Sequence, residues 1–198
     1  KGVLLASRNA AEYLENGKKV SIPGEKLFEN YYIQDVPGVG SFENYPNRNS
    51  IPYKEVYDLK DAKTVYRGTF RISGWCETLR SIAKLGWLDT KPIKNFSSKT
   101  YADLTRNLIG ADSNESLITA TANFLGLKTY SAVIKRLEWL GLFSNESIPQ
   151  NKTTPIDILN VRTLEKMKLG DKEARLMIVY KNGEGGQIVL MPNKDKDA

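Results

Sequence analysis

The sequence predicts an α+β fold in which the two ends of the chain supply a mixed or antiparallel sheet and a helical lobe is inserted between them. Three observations carry this expectation. Residues 1–74 hold short alternating runs separated by turn chemistry, residues 75–169 switch to a helical period, and residues 170–198 return to a strand, turn and strand pattern.

In chain order, Val3 to Ala6 reads as a strand, and Asn16-Gly17 between "AEYLE" and "KKVSI" is a strong hairpin-turn signal. Pro23-Gly24 breaks the chain. The Gly/Pro-rich segment "DVPGVGSFENYPNRNSIPYK" reads as a long loop without clear periodicity, of the kind that carries function. A β-like stretch, "YRGTFRI", follows.

The helical region is read from its apolar spacing. Trp75, Leu79, Ile82 and Ala83 form one stripe, and Tyr101, Leu104, Leu108 and Ile109 a second. Leu117, Ala120, Phe124 and Leu125 form a third, and Val133, Leu137 and Leu140 a fourth. Glycine follows each stripe, at Gly86, Gly110, Gly126 and Gly141. A glycine reaches the left-handed helix-stop conformation without a Cβ penalty, and the apolar residue beyond it (Trp87, Leu127 or Leu142) can fold back onto the last turn. Thr154-Pro155-Ile156-Asp157 reads as a helix start, with Thr154 as the cap and Pro155 in the first helical position. The closing "ARLMIVYKNGEGGQIVLMP" reads as two strands around a glycine-rich turn.

Composition narrows the chemistry. The 198 residues suffice for one well-cored domain, or for one with a smaller lobe. No apolar run reaches the length of a membrane span, and no signal-peptide pattern opens the chain. Histidine is absent, which removes histidine-based nucleophilic catalysis, proton shuttling and metal ligation. The single cysteine, Cys76, excludes an internal disulfide, fits a reducing compartment such as the cytoplasm, and reads as a small buried hydrophobe. A net charge of +6 suits an anionic partner. The lysines are scattered and no nucleic-acid-binding signature occurs, so nucleic acid is the weaker of the anionic partners.

One strand concentrates the positive charge. Alternation places Arg67, Thr69 and Arg71 on one face, and Tyr66, Phe70 and Ile72 on the other, which is expected to meet the core. Guanidinium groups bind carboxylates bidentately and stay charged at any useful pH, so this face suits a polycarboxylate; pairing with acidic residues of a neighbouring strand is the alternative. Gly68, lacking a side chain, admits a close approach. The segment "YPNRNS" adds Arg48, flanked by Asn47, Asn49 and Ser50, a cluster that could equally organise a turn.

In order along the chain, "GVLLASRNAAEYLENGK", "YPNRNSIPY", "VYRGTFR", "LGWLD" and "EWLGLFS" resemble the substrate-binding domain of the glutamate-forming saccharopine dehydrogenases, including the dehydrogenase half of the bifunctional lysine-degrading enzyme. The resemblance covers residues 2 to about 147 and implies a parent enzyme of lysine metabolism. That enzyme interconverts saccharopine with glutamate and aminoadipate semialdehyde by moving a hydride to or from NAD or NADP. It implies that Arg48 and Arg71 bind substrate carboxylates beside Asn47 and Ser50, that Thr69 and the Phe70 backbone add hydrogen bonds, and that Arg67 supports them. A homodimer is also implied. Asn49 stands where the family has aspartate, Ile72 where it commonly has tyrosine, and Leu176 where it has an acidic residue.

No G-x-G-x-x-G turn occurs, because Gly38-Val39-Gly40 continues into "SFENY". The expectation is therefore a fragment: residues 1–74 and 170–198 form the substrate-binding sheet domain, residues 75–169 the inserted lobe, and the dinucleotide-binding domain lies outside. Alone it binds no cofactor, supplies no general acid or base and does not catalyse. The rival reading is a noncatalytic basic module that binds nucleic acid or another polyanion.

Overall fold

In the computed structural model, which describes residues 2–6, 8–93 and 99–166 and the backbone of 174–181 and 184–192, the α+β class predicted from the sequence is observed. The chain divides into two compact units, Lys1–Arg162 and Thr163–Ala198. No helix among the described residues is long and apolar enough to cross a membrane.

The first unit opens with a short helix, α1 (Gly2–Ala6), where the sequence predicts a strand. An apolar run this short carries no period that separates the two states; Leu4 settles it by joining the core. The hairpin β1 (Ala11–Glu15) and β2 (Lys18–Ile22) follows, with Asn16 and Gly17 both at positive φ, as its two-residue turn requires. After Pro23, a 3-10 turn (Gly24–Glu29) buries Leu27 and Phe28.

The segment read as an aperiodic loop contains a second hairpin. β3 (Tyr32–Val36) pairs with β4 (Gly40–Pro46) through the turn at Pro37-Gly38, and β4 pairs with β5 (Gly68–Arg71), giving the antiparallel order β3-β4-β5. The short helix α2 (Tyr53–Val56) lies between β4 and β5. The hairpin escapes detection because β4 buries two adjacent polar residues, Glu43 and Asn44, and so shows no apolar alternation.

The face assignment of β5 is reversed relative to expectation. Ile72 is 79% exposed and Phe70 packs half-buried on Phe42 at 5.8 Å between ring centroids, outside the core. The core lies on the Arg71 face, because Arg71 is the cross-strand partner of Glu43, and Glu43 grips the helix that follows.

The four apolar stripes form α3 (Trp75–Lys84), α4 (Tyr101–Ile109), α5 (Leu117–Leu125) and α6 (Ala132–Leu140). All four glycine stops adopt positive φ. In each, the residue after the glycine returns its N–H to a carbonyl five residues back: Trp87 to Ile82, Ala111 to Arg106, Leu127 to Ala122 and Leu142 to Leu137. Trp87 and Leu142 are fully buried, so the stops also deliver core side chains. α7 (Pro155–Lys166) begins as read, with the Thr154 hydroxyl accepting from Asp157 N–H at 3.2 Å. One core joins these helices to Leu27, Phe28 and Tyr45.

In the second unit, β6 (Ala174–Lys181) and β7 (Glu184–Pro192) form the expected antiparallel pair. Among the described residues the strands thus form three antiparallel sheets, β1-β2, β3-β4-β5 and β6-β7. The side chain of Leu176 lies outside the described residues.

The glycine stops differ in what surrounds them. A Cβ at Gly141 would sit 2.0 Å from Nη2 of the buried Arg162, whereas one at Gly110 would meet nothing within 4 Å. Gly110→Ala should cost about 1 kcal/mol of backbone strain alone, and Gly141→Ala roughly 2–4 kcal/mol. Urea denaturation of the two variants checks the ranking.

Candidate functional site

Glu43 organises the site from below. Its carboxylate is 3% exposed and accepts from Gly74 N–H (2.6 Å) and Cys76 N–H (2.7 Å). It thereby satisfies two orphan donors at the start of α3 and places negative charge at the positive end of the helix dipole. The grip sets Trp75 against Arg71, whose guanidinium carbon lies 4.9 Å from the ring centroid. Arg71 Nη1 donates to the Phe70 carbonyl (3.2 Å), and its buried Nε has no protein partner. The neighbouring Cys76 is fully buried, and burial followed by the Glu43 carboxylate pushes its thiol well up, so it stays protonated and inert.

Arg48 is positioned by the first hairpin. Its carbonyl accepts from Glu12 N–H (2.9 Å), and the Glu12 carbonyl accepts from Ser50 N–H (2.7 Å), so β1 pins the loop on both sides of Asn49, immediately after Arg48. The Arg48 backbone is left-handed, at φ 57°. Asn49 Oδ1 accepts from Ile51 N–H at 2.9 Å, closing the turn with an amide oxygen. Ser50 is buried and its Oγ accepts from Arg67 N–H at 2.9 Å, while Asn47 N–H donates to the Arg67 carbonyl at 2.8 Å.

These constraints bring Arg48, Arg71, Thr69 and Asn47 to one cavity of about 190 Å³, together with Asn9, Leu27 and Tyr45. Among the described residues, no acidic side chain forms a salt bridge with Arg48 or Arg71. The remaining candidates lie elsewhere. Arg67 donates to the Tyr53 hydroxyl and stacks on that ring at 5.3 Å, Ser50 ties the loop to the strand, and Phe70 faces Phe42. Tyr45 was not foreseen, although its place opposite Thr69 in the ladder puts it on the same face. Its hydroxyl is pushed up by burial, against the opposing pull of Arg71, and remains a neutral donor. The arrangement offers two cations, two hydroxyls and two amides around one small concavity, suited to carboxylate groups.

The sequence matches the family model described as "Saccharopine dehydrogenase C-terminal domain" over residues 1–188. The chain belongs to that family. Its relatives include saccharopine dehydrogenase [NADP(+), L-glutamate-forming] of Schizosaccharomyces pombe, 32% identical over 191 residues, covering 90% of this chain and 42% of the relative. The mitochondrial alpha-aminoadipic semialdehyde synthase of Rattus norvegicus is 31% identical over 185 residues, covering 90% of this chain and 20% of the relative. Among solved structures, apo saccharopine dehydrogenase (L-Glu forming) from Saccharomyces cerevisiae superposes with a TM-score of 0.78 at 29% identity, covering 89% of this chain and 41% of that one. The chain thus spans less than half the length of these relatives.

Removing the Glu43 carboxylate should loosen the arginine site in this domain. Glu43→Ala leaves two buried N–H groups without acceptors and should cost roughly 2–4 kcal/mol, with Glu43→Gln costing less because one acceptor remains. Chemical denaturation reads the difference.

Proposed function

We propose that this chain is the substrate-binding part of a saccharopine dehydrogenase-like oxidoreductase of lysine metabolism, and that the cavity between Arg48 and Arg71 takes carboxylates of saccharopine. The observation that carries this reading is the convergence of the two arginines on one concavity with Thr69 and Asn47, free of acidic salt-bridge partners among the described residues. Saccharopine bears three carboxylates and a secondary amine, so a pocket with fixed guanidinium groups matches its charge. Arg71, held against Trp75 and the Phe70 carbonyl, orients one carboxylate; Arg48, on its pinned loop, meets another. Thr69 and Tyr45 add hydroxyl donors between them. Arg67, Ser50 and Phe70 act behind this set, by holding the loop and the strand.

The sequence contains no G-x-G-x-x-G unit, so a nicotinamide dinucleotide is proposed to bind on a part of the parent protein beyond this chain. Bound there, it supplies the hydride exchange at the carbon next to the substrate nitrogen. This chain's share is to bind and orient the substrate. The cytoplasmic location expected from the sequence stands as a proposal beside relatives whose names place them in mitochondria.

Calorimetric titration of saccharopine into the 198-residue chain tests the assignment. Saturable binding is expected, weakened about tenfold or more by Arg48→Ala and much less by Arg67→Ala. Equal loss in both variants, or no saturable binding, overturns it.

A homodimer is proposed through the exposed edge strand β3, where Ile33 is 56% exposed. Sedimentation equilibrium should return the mass of two copies, and Ile33→Lys the mass of one.

A further inference from the structure

A second cavity, of about 470 Å³, lies apart from the arginine site and shares only Pro46 with it. Its walls are aromatic. The Tyr13 and Tyr66 rings meet edge to face at 5.1 Å and 84°, and Tyr32 leans on Tyr66 at 6.1 Å and 51°. Rings set at such angles enclose a corner, where parallel stacking would close it. Glu15 and Glu29 also line the cavity, and no lysine or arginine does among the described residues.

Two of the rings, Tyr32 and Tyr66, are held by hydrogen bonds. The buried Asn44 donates to the Tyr32 hydroxyl (2.9 Å) and to Gln34 Oε1 (2.7 Å), and its Oδ1 accepts from the Tyr66 hydroxyl (3.2 Å). This network depends on Gly68. A Cβ there would sit 1.9 Å from Asn44 Oδ1 and 2.7 Å from a Tyr66 ring carbon. Burial raises the Tyr66 hydroxyl, and burial followed by Glu15 raises that of Tyr13, so both phenols remain neutral in physiological buffers.

The geometry points to a binding site for a small organic ammonium ion, held by cation–π contacts to Tyr13, Tyr32 and Tyr66 and by the charges of Glu15 and Glu29. Aromatic faces carry negative quadrupole charge and attract cations, most strongly where several rings share one ion away from water. The two carboxylates add a field of the same sense. An anion would meet both the ring faces and the carboxylates with the wrong sign, so this cavity and the arginine site select opposite charges.

Choline is the probe, and 3,3-dimethyl-1-butanol, which has its shape without its charge, is the control. Isothermal titration into the 198-residue chain at constant ionic strength should give one saturable site for choline and binding at least about tenfold weaker for the alcohol. Tyr32→Ala, at a half-exposed position, should weaken choline about five- to tenfold. Glu29→Gln, which keeps every ring, should weaken it less, and Arg48→Ala should leave it unchanged. Equal affinity for choline and the alcohol, or no saturation by choline in a chain whose circular dichroism is native, overturns the assignment.

Discussion

The arrangement of the first unit depends on one buried carboxylate. Glu43 leaves the central strand of the β3-β4-β5 sheet and ends on two amides at the start of α3. Burying a charge is costly unless hydrogen bonds compensate it, and a helix N-terminus offers the compensation that water would otherwise supply. The consequence is geometric: strand and helix are locked at one relative position, and Trp75 and Arg71, which flank the junction, are set against each other. Without this clamp the sheet would meet the helical core through Tyr45 and Phe28, whose rings pack at 5.2 Å but carry no directional bond.

The three arginines of the region divide their work by neighbour rather than by residue type. Arg67 is absorbed by Tyr53 and by backbone bonds that fasten the loop. Arg71 is half-buried, braced by an aromatic face and a carbonyl, and keeps one buried N–H without a protein partner. Arg48 is exposed and, among the described residues, anchored through its backbone. A braced cation and a freer one thus line the same cavity; in the proposed function the first would fix a carboxylate's orientation and the second would adapt to the ligand's length.

Legibility in the sequence follows the strength of local signals. The helices are readable because Leu-Gly and Ile-Gly stops coincide with apolar stripes, and the structure reproduces all four. The first hairpin is readable because Asn16-Gly17 has few competing conformations. Val3–Ala6 is too short to show a period. The β3-β4 hairpin is hidden because Glu43 and Asn44 are buried by virtue of partners distant in sequence, Gly74 and Cys76 for one and Tyr32 and Tyr66 for the other. The same cause inverts the face of β5: Ile72 is apolar yet exposed, while the core side carries Arg71. The convergence of Arg48 with Arg71 is suggested by sequence, but the separation of Arg67 from them is not, since Tyr53 lies on a different element.

The loop that carries Arg48 is tied to β1 through the Arg48 carbonyl and the Ser50 N–H, with the Arg48 backbone already in a left-handed well. Ordering entropy for this segment is therefore spent during folding, not at encounter with a ligand. For the guest proposed above, this part of the receptor would be a lock already cut.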